Sequence, residues 1–344
     1  IKRDRCPSVL GAQLAIFKAG AVTPLVSVLG SPVAEMQANA SGAISSLARD
    51  CPENQAAIAR AGGIVPLCTL VRDGSTETKE QSASALWALS RENAPNKATI
   101  AKLGGIEPLV GMVMYSTTAK SLRNASGALA SLASQHVDNK LTVTKRFVAT
   151  LSLKNPPVRA CRLLSALALL CDNEPSNQIA FAKAGGAQHL IGWLSNPAED
   201  VQVQAARAML AITSNNSTTQ ALVGKLGGVP SLISLVVKAP LEAKEHATCC
   251  LWHLATTEEN RALITESDGV APLVGLLVSQ GETAAELAAM AIVRLAEGST
   301  RTATQIASLG GVAPLVRLLV NGRPSVQQRA AAAIAAVALI ARNR

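Results

Sequence analysis

The chain has 344 residues and a formal net charge of +9, and aromatic residues make up only 2% of it. This charge favours acidic partners. The shortage of aromatic side chains argues against base stacking and therefore against a single-stranded nucleic-acid ligand. The longest apolar stretch begins at Ala330 and is too short to cross a membrane.

The cysteine pattern indicates the compartment. Seven cysteines are an odd number, and they lack regular spacing. A disulfide framework normally uses an even, patterned set, so we expect free thiols in a reducing environment. The expected location is therefore intracellular, in the cytoplasm, the nucleus or both.

A short glycine-containing motif recurs along the sequence. In chain order it reads GAVTPL from Gly20, GGIVPL from Gly62, GGIEPL from Gly104, GGAQHL from Gly185, GGVPSL from Gly227, DGVAPL from Asp268 and GGVAPL from Gly310. With Leu151 included, the closing leucines lie 42, 42, 42, 39, 42, 41 and 42 residues apart. Repeats of ~40–47 residues are typical of stacked helical units.

The stretch 53–92 shows which helices the sequence of one unit predicts. A short helix ends at Gly62 and Gly63, because glycine readily takes the left-handed conformation after a helix. A second helix begins at Ile64 and tolerates Pro66 in its first turn, where the backbone N–H has no partner within the helix. A longer third helix then presents Ala and Leu residues to the core.

The spacing predicts one solenoid domain over residues 1–344. The predicted repeats are approximately 8–50, 51–92, 93–135, 136–173, 174–214, 215–257, 258–297 and 298–344. The fourth lacks the glycine pair and has Phe147 at a glycine position, so we expect a bend or altered stacking there. The last helix is apolar nearly all round, whereas a terminal repeat needs a polar outer face. We therefore expect either a fragment of a longer chain or ends that a partner covers.

Three helices in about 42 residues, with Gly-Gly-hydrophobic-x-Pro-Leu opening the second, resemble the armadillo repeat. The resemblance covers essentially the whole chain. It implies an all-α, right-handed α-solenoid of about eight three-helix repeats. It also implies a non-catalytic scaffold that binds an extended peptide along a concave groove lined by the third helices.

In family members that resemble β-catenin and importin-α, a recurring asparagine of the third helix binds the peptide backbone. This chain differs from those proteins at that position. The corresponding positions here are Ser46, Ala88, Ser131, Leu169, Ala211, His253, Arg294 and Ala336, and none is asparagine. A nuclear-import-type cargo adaptor is therefore only a second alternative. Trp87 and Trp252 lie one residue earlier, in a mostly apolar column that favours packing between repeats over groove contacts.

A second column, seven residues upstream, shares the same helix face and is almost entirely polar or basic. From both columns and their neighbours we predict the partner-binding residues Asn39, Ser46, Gln81, Asn124, Ser131, Arg162, Gln204, Arg207, His246, His253, Arg294 and Arg329. The basic members lie in the later repeats, and acids such as Glu245 and Glu286 partly offset them. Guanidinium groups pair well with carboxylate and phosphate, so the predicted ligand is an acidic or phosphorylated protein segment.

Other functions have weaker sequence support. The stretch His246–His253 contains two His and two Cys, but its outer histidines lie two helical turns apart, too far to share a zinc ion. We find no catalytic or phosphate-binding motif, and we expect no enzyme activity, cofactor or metal. The acid-free basic segment 139–171 fits a solvated face, so we do not expect nucleic acid as a partner. The alternative to groove binding is a structural solenoid held in a larger assembly through its ends and convex face, including end-to-end self-association through the C-terminal helix.

Overall fold

The protein is helical throughout the part that the computed structural model describes, which is residues 7–279, 281–297 and 299–341. These residues form 23 α-helices and no β-strand. The predicted all-α solenoid class is confirmed. The described cysteines are Cys51, Cys68, Cys161, Cys171, Cys249 and Cys250, and all are free thiols; Cys6 lies outside the described residues.

The helices fall into two compact units, the described residues up to Thr150 and those from Leu151 onward. The first unit contains α1 (Pro7–Lys18), α2 (Val22–Val28), α3 (Ala34–Ala48), α4 (Pro52–Arg60), α5 (Ile64–Asp73), α6 (Thr76–Ser90), α7 (Ala94–Lys102), α8 (Ile106–Tyr115), α9 (Ala119–Ala133) and α10 (Val137–Thr150). The second contains α11 (Pro157–Cys171), α12 (Pro175–Lys183), α13 (Gly186–Leu194), α14 (Glu199–Thr213), α15 (Ser217–Lys225), α16 (Gly228–Lys238), α17 (Leu241–Leu254), α18 (Glu258–Glu266), α19 (Val270–Leu276), α20 (Glu282–Ala296), α21 (Thr300–Ser308), α22 (Val312–Asn321) and α23 (Pro324–Ala341).

The two glycines of the recurring turn have different roles. Gly62 takes φ +80°, in the left-handed region that costs L-residues energy. Gly63 has ordinary dihedrals, but a Cβ added there would lie 2.9 Å from Ile58 Cγ2, so the close approach of the first two helices requires glycine. The first position repeats with positive φ at Gly20, Gly104, Gly185, Gly227, Asp268 and Gly310.

The fourth repeat has two helices, where the sequence predicts three. Because Phe147 replaces a glycine, nothing interrupts the first helix, and α10 continues to Thr150. Phe147 is fully buried within it. Six residues without helical structure, 151–156, then lead to α11 in place of a second helix. The sequence predicts a departure in this repeat, and the structure shows that it consists of the loss of the second helix.

The third helices form the centre of each unit. In the first unit α3 packs on α6 and α6 on α9; in the second, α11, α14, α17, α20 and α23 pack in the same successive way. Small side chains allow this approach, since Ala85, Ala128, Ala208 and Ala291 are fully buried. Cys250 is fully buried in the equivalent position, where burial raises the pKa of its thiol well above the ordinary value. It acts as the small apolar residue that the sequence predicts.

Buried amides join the ends of several third helices to the next first helix. Asn54 Nδ2 donates to Leu47 O at 2.9 Å, and Asn177 Nδ2 donates to Leu170 O at 2.8 Å. Gln55 Nε2 reaches a neighbouring repeat, where it donates to Ala88 O at 2.9 Å. These bonds satisfy carbonyls that a helix C-terminus would otherwise leave unpaired. The repeat pattern of the sequence does not predict this network.

The boundaries of the eight predicted repeats, and of a single domain over 1–344, stay predictions. The predicted domain includes residues 1–6, Gln280, Gly298 and 342–344, which lie outside the described residues. No single described helix is both long and apolar enough to cross a membrane; three pairs of consecutive helices reach the length and hydropathy together, but each pair is bent by 78–85°.

Candidate functional site

The third helices carry the predicted partner-binding residues at equivalent positions, so these residues form columns across each unit. We call the described part of these columns in one unit its third-helix face. Hydrogen bonds between equivalent helices set the register of the columns. Ser41 Oγ and Ser82 Oγ lie 3.0 Å apart in the first unit, and Ser165 Oγ donates to Gln204 Oε1 at 2.7 Å in the second.

In the first unit, most of the predicted residues bind neighbouring helices. Asn124 is buried, and its Nδ2 donates to Glu80 O at 3.0 Å. Ser131 Oγ accepts a hydrogen bond from Ser90 Oγ at 2.9 Å. Gln81 is half-buried, and its Oε1 would lie 3.3 Å from a Cβ added at Gly42. Asn124 thus connects α6 and α9 and does not extend from the surface as a groove residue would.

Asn39 and Ser46 are the exposed members in the first unit. Both lie on α3, and the Ser46 hydroxyl donates to Gly42 O at 3.0 Å in its own helix. The first unit therefore presents short neutral groups on α3 and few available donors on α6 and α9. The third-helix face of the first unit therefore has few groups that can bind a charged ligand.

Glu80, an acid beside these columns, is held by the next helix. Its carboxylate accepts hydrogen bonds from Thr118 Oγ1 at 2.9 Å and Ser121 Oγ at 3.1 Å, and pairs with Lys120 Nζ at 2.8 Å. Burial opposes its ionisation, but the hydrogen bonds from Lys120, Thr118 and Ser121 outweigh burial and lower the pKa of Glu80. This charge connects α6 to α9 and is neutralised internally.

The second unit presents cationic side chains on its third-helix face. Arg207 on α14 and Arg329 on α23 are exposed, and Arg294 on α20 is half-buried. None of the three forms an ion pair with another described residue. Arg162 and Gln204 are half-buried, and Gln204 is occupied by the bond from Ser165. Three guanidinium groups therefore lack an internal carboxylate.

Arg294 lies against an aromatic ring from the neighbouring helix. Its guanidinium carbon is 5.9 Å from the centroid of Trp252 on α17, within the range of a cation–π contact. The Trp252 ring also contacts the His253 ring, with centroids 4.5 Å apart. Trp252 thus contacts the next third helix through Arg294, as the packing interpretation predicts, and it also orients a cation on the face.

Trp87 packs in a similar way in the first unit. A Cβ added at Gly127 on α9 would lie 2.6 Å from the Trp87 ring, so the indole lies directly on that glycine. Both tryptophans therefore contact the third helix of the following repeat.

The two histidines of the face are held neutral by their surroundings. Burial lowers the pKa of His253, and Arg294 lowers it further. Burial also lowers the pKa of His246; Glu242 opposes this shift, and Arg207 adds to it. At neutral pH the positive charge on this face therefore comes from the arginines.

The acids of the same helices lie nearer their N-termini and are partly engaged. Glu282 pairs with Arg323, and Glu286 Oε2 accepts a hydrogen bond from Ser325 Oγ at 3.3 Å. Glu242 Oε1 lies 3.9 Å from His246 Nε2. Burial, with a contribution from Glu242, raises the pKa of Glu245. No group of three or more potential metal ligands occurs among the described residues.

Comparison with known proteins identifies the repeats. Four segments, residues 12–49, 51–91, 93–134 and 300–335, match the family described as Armadillo/beta-catenin-like repeat. The chain belongs to the armadillo-repeat family. It lacks that family's groove asparagines at the positions considered above.

Two engineered proteins solved by crystallography by the Northeast Structural Genomics Consortium are similar in structure to this armadillo-repeat chain. One has 30% sequence identity and a TM-score of 0.68, and the match covers 95% of this chain and 81% of that protein. The other has 26% identity and a TM-score of 0.51, covering 80% of this chain and 97% of that protein.

A curated plant protein shares a shorter stretch. U-box domain-containing protein 1 of Medicago truncatula is 27% identical over 91 residues, which is 26% of this chain. The matched stretch spans only 13% of that protein's length.

Proposed function

We propose that this chain is a non-catalytic protein-interaction scaffold that binds an extended acidic or phosphorylated segment on the third-helix face of its second unit. Armadillo repeats generally mediate protein–protein interactions, and the family fold is typically a scaffold without catalysis. The proposal depends on one observation: Arg207, Arg294 and Arg329 lie on successive parts of one face without a carboxylate partner among the described residues.

The chemistry of guanidinium supports this ligand class. Its planar donors match carboxylate and phosphate oxygens in pairs. The α14 and α20 helices are separated by α17, so Arg207 and Arg294 are about 20 Å apart if neighbouring axes are ~10 Å apart. An extended peptide rises ~3.3 Å per residue. The proposed segment therefore carries acidic or phosphorylated residues about six positions apart.

Reversal of two charges tests the site. The probe is a fluorescein-labelled peptide of about 15 residues with glutamates at six-residue spacing, long enough to span ~50 Å. We expect Arg207→Glu/Arg294→Glu to weaken its binding by about tenfold at low salt, because each lost ion pair at the surface contributes up to about 1 kcal/mol. Fluorescence anisotropy measures the affinity.

The matched control is Lys183→Glu/Lys225→Glu. These exposed lysines end α12 and α15, which are first helices of the second unit, and their reversal changes net charge by the same amount. We expect the control to bind far more tightly than the arginine variant. Equal affinities in the two double variants would contradict the proposed site, and a glutamine version of the peptide measures the contribution of its charges.

A second candidate function is a structural solenoid built into a larger assembly through its ends. One observation favours it: α22 exposes Val312, Val316 and Leu319, although the equivalent residues of α5, α8, α13, α16 and α19 are buried. Self-association through the C-terminal helices is one form of this function. Cytoplasmic and nuclear locations are part of the proposal for both candidates.

A further inference from the structure

The first unit contains a cavity that none of the predicted partner-binding residues lines. It lies where the C-terminal ends of two consecutive second helices, α5 and α8, meet the N-terminal ends of the third helices that follow them, α6 and α9. Its volume of about 350 Å³ is at the small end of the ~300–1,000 Å³ that is typical of ligand sites. We call it the first-unit cavity.

Part of its lining is apolar. Val71 and Met112 are buried in its walls, and Pro108 and the exposed ring of Tyr115 extend this surface. Gly111 on α8 also lines the cavity, and a Cβ added there would meet no atom within 4 Å. The glycine therefore leaves space beside a thioether and an aromatic ring, both of which make favourable contacts with a second aromatic group.

The charged groups of the lining are two cations, Arg72 and Lys79. Arg72 pairs with Asp73 outside the cavity, whereas the half-buried Lys79 forms no ion pair with another described residue. The nearby carboxylate of Glu80 is already paired with Lys120. No acid is among the described residues that line the cavity. An anion is therefore the charge that this lining favours.

The equivalent cavity of the second unit, between α19 and α22, has a different composition. It is smaller, about 240 Å³, and Arg317 occupies the position equivalent to Gly111. Ala285 stands at the position of Lys79, and Glu282 is part of the lining. The open glycine position and the unpaired lysine are thus properties of the first-unit cavity and do not follow from the repeat fold alone.

We propose that the first-unit cavity binds a small molecule with an aromatic body and one anionic group, such as an aryl phosphate. The aromatic body lies against Met112 and Tyr115, in the space beside Gly111. The anionic group pairs with Lys79, and Thr76, which lines the same cavity, supplies a hydroxyl donor. This site is separate from the acidic-segment site proposed for the second unit.

Isothermal titration calorimetry of the full chain with 2-naphthyl phosphate tests the proposal. We expect saturable binding that is tighter than binding of 2-naphthol or of inorganic phosphate, because each of these matches only part of the lining. Lys79→Gln should weaken binding of 2-naphthyl phosphate about fivefold, the size of one ion pair near the surface. The matched control Lys102→Gln removes an exposed lysine at the end of α7 and should bind like the unmodified chain.

Filling the cavity provides a second test. Gly111→Leu should weaken binding at least tenfold, because its side chain occupies the space of the aromatic body. The fold should be retained, since leucine favours a helix more than glycine does; circular dichroism and urea denaturation check this. The matched control Gly275→Leu makes the same change at the equivalent position of α19, where an added Cβ also meets no atom within 4 Å. It should bind like the unmodified chain.

Three results would overturn the proposal. They are the absence of saturable binding up to about 1 mM 2-naphthyl phosphate, an equal loss of affinity in Gly111→Leu and Gly275→Leu, and 2-naphthol binding as tightly as its phosphate. Arg207→Glu/Arg294→Glu should bind 2-naphthyl phosphate normally, and Gly111→Leu should bind the acidic peptide normally. Failure of either site is therefore distinguishable from failure of the other.

Discussion

At the scale of single residues, the third-helix face of the second unit combines arginines, which are always charged, with histidines, whose charge depends on pH. Arg207 and Arg294 are charged at any physiological pH. His246 and His253 lie beside them with pKa values lowered by burial and by these arginines. An acidic ligand opposes that lowering, since a carboxylate near an imidazole favours its protonated form. We therefore expect binding of the proposed acidic ligand to be coupled to proton uptake by the histidines.

This coupling predicts that acidic-peptide binding strengthens as pH falls from about 7.5 to 5.5, by about threefold to tenfold for two added surface charge pairs. Stability changes in the opposite direction. Because the folded pKa values lie below the unfolded value near 6.5, the unfolded chain binds more protons, and stability falls as pH drops below ~6.5. Peptide titrations of the unmodified chain and of His246→Gln/His253→Gln check this; a pH dependence that survives in the variant contradicts it.

At the scale of helices, the glycine pairs allow the repeat to be predicted from the sequence. The alternation of short helix, turn and second helix is predicted because glycine permits φ +80° at Gly62 and close approach at Gly63. In the fourth repeat, Phe147 indicates only that this turn is lost. What replaces it depends on how a long continuous helix packs, since α10 buries Phe147 instead of turning. Local propensity alone does not contain that information.

Three alanine substitutions distinguish the roles of glycine. Gly62→Ala places a Cβ at positive φ without a clash and should cost about 1–2 kcal/mol. Gly63→Ala should cost at least as much, because the added Cβ meets Ile58. Gly111→Ala in the interior of α8 meets nothing within 4 Å and should stabilise the protein by about 0.5–1 kcal/mol through helix propensity. Urea denaturation provides the measurement, and a destabilised Gly111→Ala would contradict this assignment. Gly62→Asn should be milder than Gly62→Ala, since Asp268 takes φ +58° at the equivalent turn.

At the scale of the whole molecule, the sequence predicts which helix positions form a face but not which side chains remain available there. Asn39 and Asn124 occupy the same column; the first is exposed, while the second donates to Glu80 O. The difference arises because α9 packs on α6, which supplies the carbonyl that Asn124 binds. Packing of the neighbouring repeat, which periodicity does not encode, decides the outcome. The arginines of the second unit were predicted as site residues, but their lack of an internal carboxylate partner became visible only in the structure.

Net charge and the local site affect binding in different ways. The net charge of +9 creates a long-range field that attracts an acidic peptide and raises its association rate, whereas close contacts govern its dissociation rate. Each Lys→Glu or Arg→Glu change lowers the net charge by two, so both double variants described above carry +5 instead of +9. We expect stopped-flow association rates at low salt to fall by a similar factor in both. Only Arg207→Glu/Arg294→Glu should accelerate dissociation, by about tenfold, because only it removes guanidinium–carboxylate contacts. If both variants accelerate dissociation equally, the peptide binds through general charge and the third-helix face is not its site.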